Sequence, residues 1–310
     1  MGMMLNLVML FVGFVLLIKG SDVFVDGASS IAKKLGVPSL IVGLTIVAMG
    51  TSAPELSVSL TSSLAGMNDM SIANVVGSNI FNILMVLGIS ALVGKIKTEE
   101  FSDMYTMFGS MMILLITTMD GKISKFDGFG MLILFVLYIL SLVISSLKSM
   151  KNKNTDDDGD KQHSLVKSLI FIVLGLVAVV FGGDFVVDSA SSIAAQLGMS
   201  ENLIGLTIVA LGTSLPELVT SVTATRKGDM GIAIGNVLGS NIFNILLILG
   251  TASSICPLAV STITLIDVIT MCGITILLIL SMAKKHELNK YKGLLFILIY
   301  ASYIIYTIVR

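Results

Sequence analysis

Apolar positions in this chain fall in long blocks rather than in the alternation of a half-buried strand or the stripes of a surface helix. The blocks lie near 3–19, 37–64, 71–93, 104–119, 129–147, 165–187, 203–225, 231–255, 262–282 and 293–309. Each approaches or exceeds the roughly 20 residues that cross a hydrocarbon core about 30 Å thick. The pattern predicts an all-α polytopic membrane protein with ten transmembrane helices. The first block lacks a basic leading region. It runs into Lys19-Gly20-Ser21-Asp22 instead of a small-residue cleavage site, so it is expected to stay as a helix.

Composition sharpens this. Of the 310 residues 55% are hydrophobic and 13% charged, about half the charge density of a soluble domain. A net charge of −1 leaves no basic surplus for nucleic acid. Cys256 and Cys272 have no metal-ligand spacing, and a disulfide framework is not expected. The cations are unevenly shared. Fifteen Lys and Arg, from Lys33 to Lys292, fall in segments on one side, and only Lys122, Lys125 and Arg310 on the other. The positive-inside rule then predicts a multi-pass protein of the cell membrane with both termini extracellular.

Sliding the chain by 162 residues aligns it with itself. DVFVDGASSIAKKLG (22–36) meets DFVVDSASSIAAQLG (184–198), GLTIVAMGTSAPE (43–55) meets GLTIVALGTSLPE (205–217), and NVVGSNIFNIL (74–84) meets NVLGSNIFNIL (236–246). Over 22–55 there are 21 identities in 34 positions, and over 74–84 ten in eleven. Matched Gly, Pro, Glu and Asn are not explained by an apolar composition, so the chain is a duplication. Five helices separate equivalent points, and an odd number inverts the second copy. The expected plan is two inverted-topology repeats of five helices, 1–147 and 165–310, joined by a polar cytoplasmic linker at 148–164. Asn154-x-Asp156-x-Asp158-Gly159 hints at a calcium loop, but Leu165 stands where a bidentate Glu is needed, so the segment is read as a solvated linker.

Glu55 and Glu217 carry the chemistry. Each sits inside an apolar helix, where a carboxylate costs about 2.5–3.5 kcal/mol on insertion scales, so it is expected to face a cavity or bundle interior. Pro54 and Pro216 precede them and deprive the carbonyls of Gly50 and Gly212 of their helical partners. The run Gly50-Thr51-Ser52-Ala53-Pro54-Glu55 suits a broken helix lining a cavity. Thr51 and Ser52 stand four and three residues before Glu55, as do Thr213 and Ser214 before Glu217; Ser78 with Asn82 and Ser240 with Asn244 are i,i+4 pairs. The donors are all oxygen, since His163 and His286 lie in polar connections, and this suits a hard cation such as Ca²⁺ rather than zinc. Asp22, Asp26, Asp184 and Asp188 form a second symmetric acidic set. They fall at the predicted ends of the first and sixth helices, where they read as solvated helix ends.

GTSAPE, GTSLPE and the paired GSNIFN resemble the alpha-repeats of the cation/calcium exchanger superfamily, specifically its prokaryotic sodium/calcium exchangers. The resemblance covers 22–84 and 184–246 directly. It implies two half-broken helices crossing near the membrane centre, with one calcium site flanked by sodium sites. Carried over by motif, calcium would be held by Glu55 and Glu217 with oxygens around Thr51 and Thr213. Sodium would be held by the carbonyls of Ala48 and Ala210 and the hydroxyls of Ser52, Ser78, Ser214 and Ser240. Asn82 and Asn244 would complete the centre. Some relatives carry Asp at the last position of one such motif; here both are amides, giving a formal site charge of −2 instead of −3. The implied activity is antiport of three Na⁺ for one Ca²⁺ by alternating access. One Ca²⁺, or two Na⁺, balances the carboxylates, so a third Na⁺ makes the exchange electrogenic. The rivals are a Ca²⁺/H⁺ antiporter using the same carboxylates and a Ca²⁺-selective channel, which broken inverted helices disfavour. No enzyme, cofactor or nucleotide partner is expected, given the absence of a GxxxxGK[ST] loop or a Ser–His arrangement within the membrane. The expected partners are Na⁺, Ca²⁺ and the lipid bilayer, and the linker is too short for the cytoplasmic regulatory domain of animal exchangers.

Overall fold

The computed structural model describes residues 2–98, 101–152, 164–199, 208 and 210–309, with backbone alone at 151, 152 and 210. Twelve helices account for nearly all of the described residues. The first half contains α1 (Met3–Leu35), α2 (Ser39–Thr51), α3 (Ala53–Leu64), α4 (Asn68–Val93), α5 (Ser102–Thr118) and α6 (Lys125–Asn152). In the second half are α7 (Leu165–Gln196), α8 (Ala210–Gly212), α9 (Leu215–Arg226), α10 (Met230–Ile255), α11 (Thr262–Ala283) and α12 (Lys290–Val309). The bounds of α3 and α9, and of α4 and α10, coincide under the 162-residue shift. Four two-residue strands pair antiparallel, Ile96–Lys97 with Glu287–Leu288 and Lys122–Ile123 with Leu258–Ala259, so each pair takes one strand from each half.

Seven of these helices are long and apolar enough to cross a bilayer, or eight when α2 and α3, bent by 49°, count as one broken span. The chain is a multi-span membrane protein, and its polarity is arranged accordingly. Phe11, Phe126, Ile133 and Leu280 point outward from α1, α6 and α11, where lipid tails solvate them. Glu55, Glu217 and a set of Ser and Asn side chains are buried. The centre is α10, with 94% of its apolar stretch buried against 17% for α6 and α12.

Two expectations are corrected here. The first helix does not end near 19, nor the sixth near 187: α1 continues to Leu35 and α7 to Gln196, so Asp22, Asp26, Asp184 and Asp188 lie within helices. A hydropathy reading stops at the first charges, whereas backbone hydrogen bonding continues through them because the intervening Gly, Ala and Ser pack against neighbours. The calcium-loop candidate at 154–159 lies outside the described residues.

Small residues set the helix contacts. Gly13, Gly20 and Gly27 of α1 meet Gly182, Gly175 and Ser168 of α7, an antiparallel match in steps of seven residues. A Cβ on Gly175 would lie 2.5 Å from the Phe24 nitrogen and 2.8 Å from the Gly20 carbonyl oxygen. Along α10, Gly231, Gly235 and Gly239 repeat every four residues and admit the backbone of α2, down to Ala48.

Candidate ion-binding site

The break that organises the site falls at Ser52, two residues before Pro54. There φ −82°, ψ 10° ends α2, and α3 begins with Pro54 in its first turn. A proline in the first turn forfeits no intrahelical bond, whereas its ring crowds the carbonyl four residues back, so the helix stops short of it. Ser214 repeats the conformation at φ −93°, ψ 7° ahead of Pro216.

Because the helix is broken there, the three- and four-residue spacing does not join Ser52 to Glu55. The serines cross over instead. Ser52 Oγ donates to Glu217 Oε1 at 3.0 Å, and Ser214 Oγ to Glu55 Oε1 at 2.9 Å. Each carboxylate takes a longer bond from its own half, Ser78 to Glu55 at 3.3 Å and Ser240 to Glu217 at 3.5 Å. Both glutamates are fully buried. Neither has a Lys, Arg or His partner among the described residues, where the ion pairs join Asp22 and Asp26 to Arg226 and Lys227.

Asn82 and Asn244 each open a π-helical turn, Asn82–Val86 and Asn244–Leu249, a local widening that often marks a functional position. Asn82 Nδ2 donates to Asn241 Oδ1 at 3.1 Å, and Asn244 Nδ2 to Asn79 Oδ1 at 3.0 Å. Thr51 Oγ1 lies within donating reach of Asn236 Oδ1 in the other half at 3.0 Å and of the Val47 carbonyl at 3.1 Å. Thr213 instead lines a cleft of about 420 Å³ with Pro54, Pro216, Ser57, Asp184 and Asp188. The Ala48 carbonyl accepts from Ser52 N at 3.0 Å and faces Ser240 Oγ at 3.5 Å. Ala210 begins α8, with its side chain outside the described residues.

Among the buried side-chain oxygens without a hydrogen-bond partner in the described residues are four carboxylate and amide acceptors of these helices, Glu55 Oε2, Glu217 Oε2, Asn82 Oδ1 and Asn244 Oδ1, together with the Thr213 hydroxyl. Buried acceptors without donors are costly, and a buried carboxylate without a counter-charge more so. A cation is the kind of partner that would satisfy such acceptors. Four oxygens, two of them anionic, suit Na⁺ or Ca²⁺.

Sequence reasoning passed over two further symmetric pairs. Asn74 donates to the Glu55 carbonyl at 3.3 Å and to Ser59 Oγ at 2.8 Å. Asn236 does the same to the Glu217 carbonyl at 3.3 Å and Ser221 Oγ at 2.9 Å. Asn79 and Asn241 are the other pair. The signal was present, since all four sit inside the matched NVVGSNIFNIL and NVLGSNIFNIL strings.

The sequence profile described as sodium/calcium exchanger protein matches residues 5–144 and again 167–309. The chain is 33% identical to the sodium/calcium exchanger MaX1 of Methanosarcina acetivorans over 97% of both chains. It is 36% identical to the putative antiporter CaxA of Alkalimonas amylolytica over 97% of this chain and 98% of that one. The fold superimposes on the sodium-calcium exchanger NCX_Mj, soaked with 2.5 mM Na⁺ and 0.1 mM Ca²⁺, with a TM-score of 0.83, 33% identity and 97% of both chains covered. Soaked with zero Na⁺ and Ca²⁺, the same exchanger gives 0.85 at 32% identity over 99% of this chain and 100% of that one.

Proposed function

Because the chain belongs to the sodium/calcium exchanger family, we propose that it exchanges Na⁺ for Ca²⁺ across the cell membrane by alternating access. Glu55, Glu217, Asn82 and Asn244 supply the central oxygens. Thr51, Thr213, Ser52, Ser214, Ser78, Ser240 and the carbonyls of Ala48 and Ala210 surround them. The observation that carries this reading is the set of four buried oxygens without donors, two from each half.

The architecture that fits this activity is ten spans in two inverted repeats, 1–147 and 165–310. It is supported by the antiparallel match of α1 with α7 and the coincident bounds of α3 with α9 and α4 with α10. At 17 residues α5 is a short ninth span, and the stretch ending in α8 and α9 supplies the tenth. The cation-rich segments, with the 148–164 linker, face the cytoplasm and both termini face outward.

Charge fixes the electrical signature. Glu55 and Glu217 give −2, which one Ca²⁺ cancels, while three Na⁺ leave +1 to move with the loaded carrier. Proteoliposomes loaded with Na⁺ and diluted into Na⁺-free buffer should take up radioactive Ca²⁺ with an accompanying current. Glu55→Gln and Glu217→Gln should each abolish uptake. Electrically silent exchange at two Na⁺ per Ca²⁺ would contradict the stoichiometry. Uptake driven by a pH gradient without Na⁺ would replace sodium coupling with proton coupling.

A further inference from the structure

The Asn side chain presents a special difficulty to a cation site. Its two ends are nearly equal in size, but one is an oxygen acceptor and the other an N–H₂ that repels a cation. Shape alone therefore does not decide which end faces the ion. Something must hold Nδ2.

Four fully buried asparagines do this reciprocally. Asn79 Nδ2 donates to the Asn241 backbone carbonyl at 3.2 Å, and Asn241 Nδ2 to the Asn79 carbonyl at 3.4 Å. A backbone carbonyl accepts only, so these two bonds fix Asn79 and Asn241 with their Oδ1 atoms turned the other way. Those oxygens then accept from Asn244 Nδ2 and Asn82 Nδ2. With their N–H₂ ends captured, Asn82 and Asn244 are left with Oδ1 as the end that meets no protein donor. Orientation passes from a backbone carbonyl through Asn79 to Asn244, and from another through Asn241 to Asn82. Each relay crosses from one half of the chain to the other.

We propose that Asn79 and Asn241 are positioning residues, which aim the amide oxygens of Asn244 and Asn82 at the transported cation without touching it. This rests on the site reading given above and names the residues that set its polarity. Side chains that hold metal ligands in place typically account for about 10–100-fold in affinity. The relay also constrains the chemistry: a carboxylate at position 82 would face the Asn241 oxygen, acceptor against acceptor.

The test measures ⁴⁵Ca²⁺ binding and the KM and maximal rate of exchange for the parent chain, Asn241→Ala, Asn82→Asp and the double variant. In the parent background Asn241→Ala should weaken Ca²⁺ binding about tenfold or more, as a rise in KM with a smaller change in maximal rate. In the Asn82→Asp background the same change should be neutral or should strengthen binding, because a carboxylate has two equivalent oxygens and needs no aiming. A merely structural role predicts the same loss in both backgrounds, and that result would overturn the proposal. So would unchanged binding in Asn241→Ala. Asn79→Ala paired with Asn244→Asp repeats the cycle at the other end of the site, and decides it if Asn241→Ala does not fold. A parent chain that binds no Ca²⁺ overturns the site reading itself and the positioning role with it. Loss of background dependence with parent binding intact overturns only the positioning role.

Discussion

Asn244 is the residue at which the electrical behaviour of the site is decided. With two carboxylates and two amides, the proposed site would be neutral when loaded with Ca²⁺ and would carry the charge when loaded with Na⁺. Ca²⁺/Ca²⁺ self-exchange should therefore be insensitive to membrane potential. In Asn244→Asp the site charge becomes −3, the Ca²⁺-loaded form carries −1, and self-exchange should become voltage-dependent. Isotope exchange in vesicles clamped at two potentials distinguishes the cases. The buried polar residues of the proposed site were legible in the sequence, because Glu, Ser and Asn are costly inside apolar helices and here they recur at matched positions in both halves. Their pairing was not. Helical spacing put Ser52 on one face with Glu55, yet it donates to Glu217, since the break at Ser52 directs the hydroxyl into the other half. Asn79 and Asn241 were overlooked for a related reason: they act through a contact between halves that no local spacing displays.

For the elements, duplication and apolar runs placed the described helix ends within a few residues, apart from the reach of α1 and α7. Hydropathy measures solvation of side chains and has no view of helices held together by glycine. The α1–α7 seam depends on the absence of Cβ atoms, which predicts a specific sensitivity. Gly175→Ala places a methyl group against the Phe24 and Gly20 backbones. Overpacking of this kind costs about 1–3 kcal/mol, to be read as a lowered midpoint of thermal unfolding in detergent. Gly130→Ala, where the added methyl meets nothing within 4 Å on α6, is the control and should leave the midpoint unchanged or slightly raised.

At the level of the molecule the two faces differ. Asp22 of α1 pairs with Arg226 at 2.7 Å and Asp26 with Lys227 at 2.7 Å, at the end of α9. The equivalent acids on α7, Asp184 and Asp188, are exposed along the cleft that reaches Thr213, and the positions matching Arg226 and Lys227 are Leu64 and Ala65. In the proposed orientation the paired face is cytoplasmic and the cleft opens outward. In a background free of Cys256 and Cys272, Asp184→Cys should react with an impermeant maleimide from outside, and Asp22→Cys should stay protected.

The seven-residue seam between α1 and α7 bears on leakage. Two helices meshed over a period of about 10 Å have no easy intermediate register, so in the proposed cycle they would travel as a single bar. One end of that bar carries the acids held by Arg226 and Lys227, and the other carries the acids of the open cleft. In the proposed alternating-access cycle, tilting it to uncover one mouth would cover the opposite mouth. A continuous pore would require the bar to split along its length, and the glycines that allow so close an approach are what keep it whole.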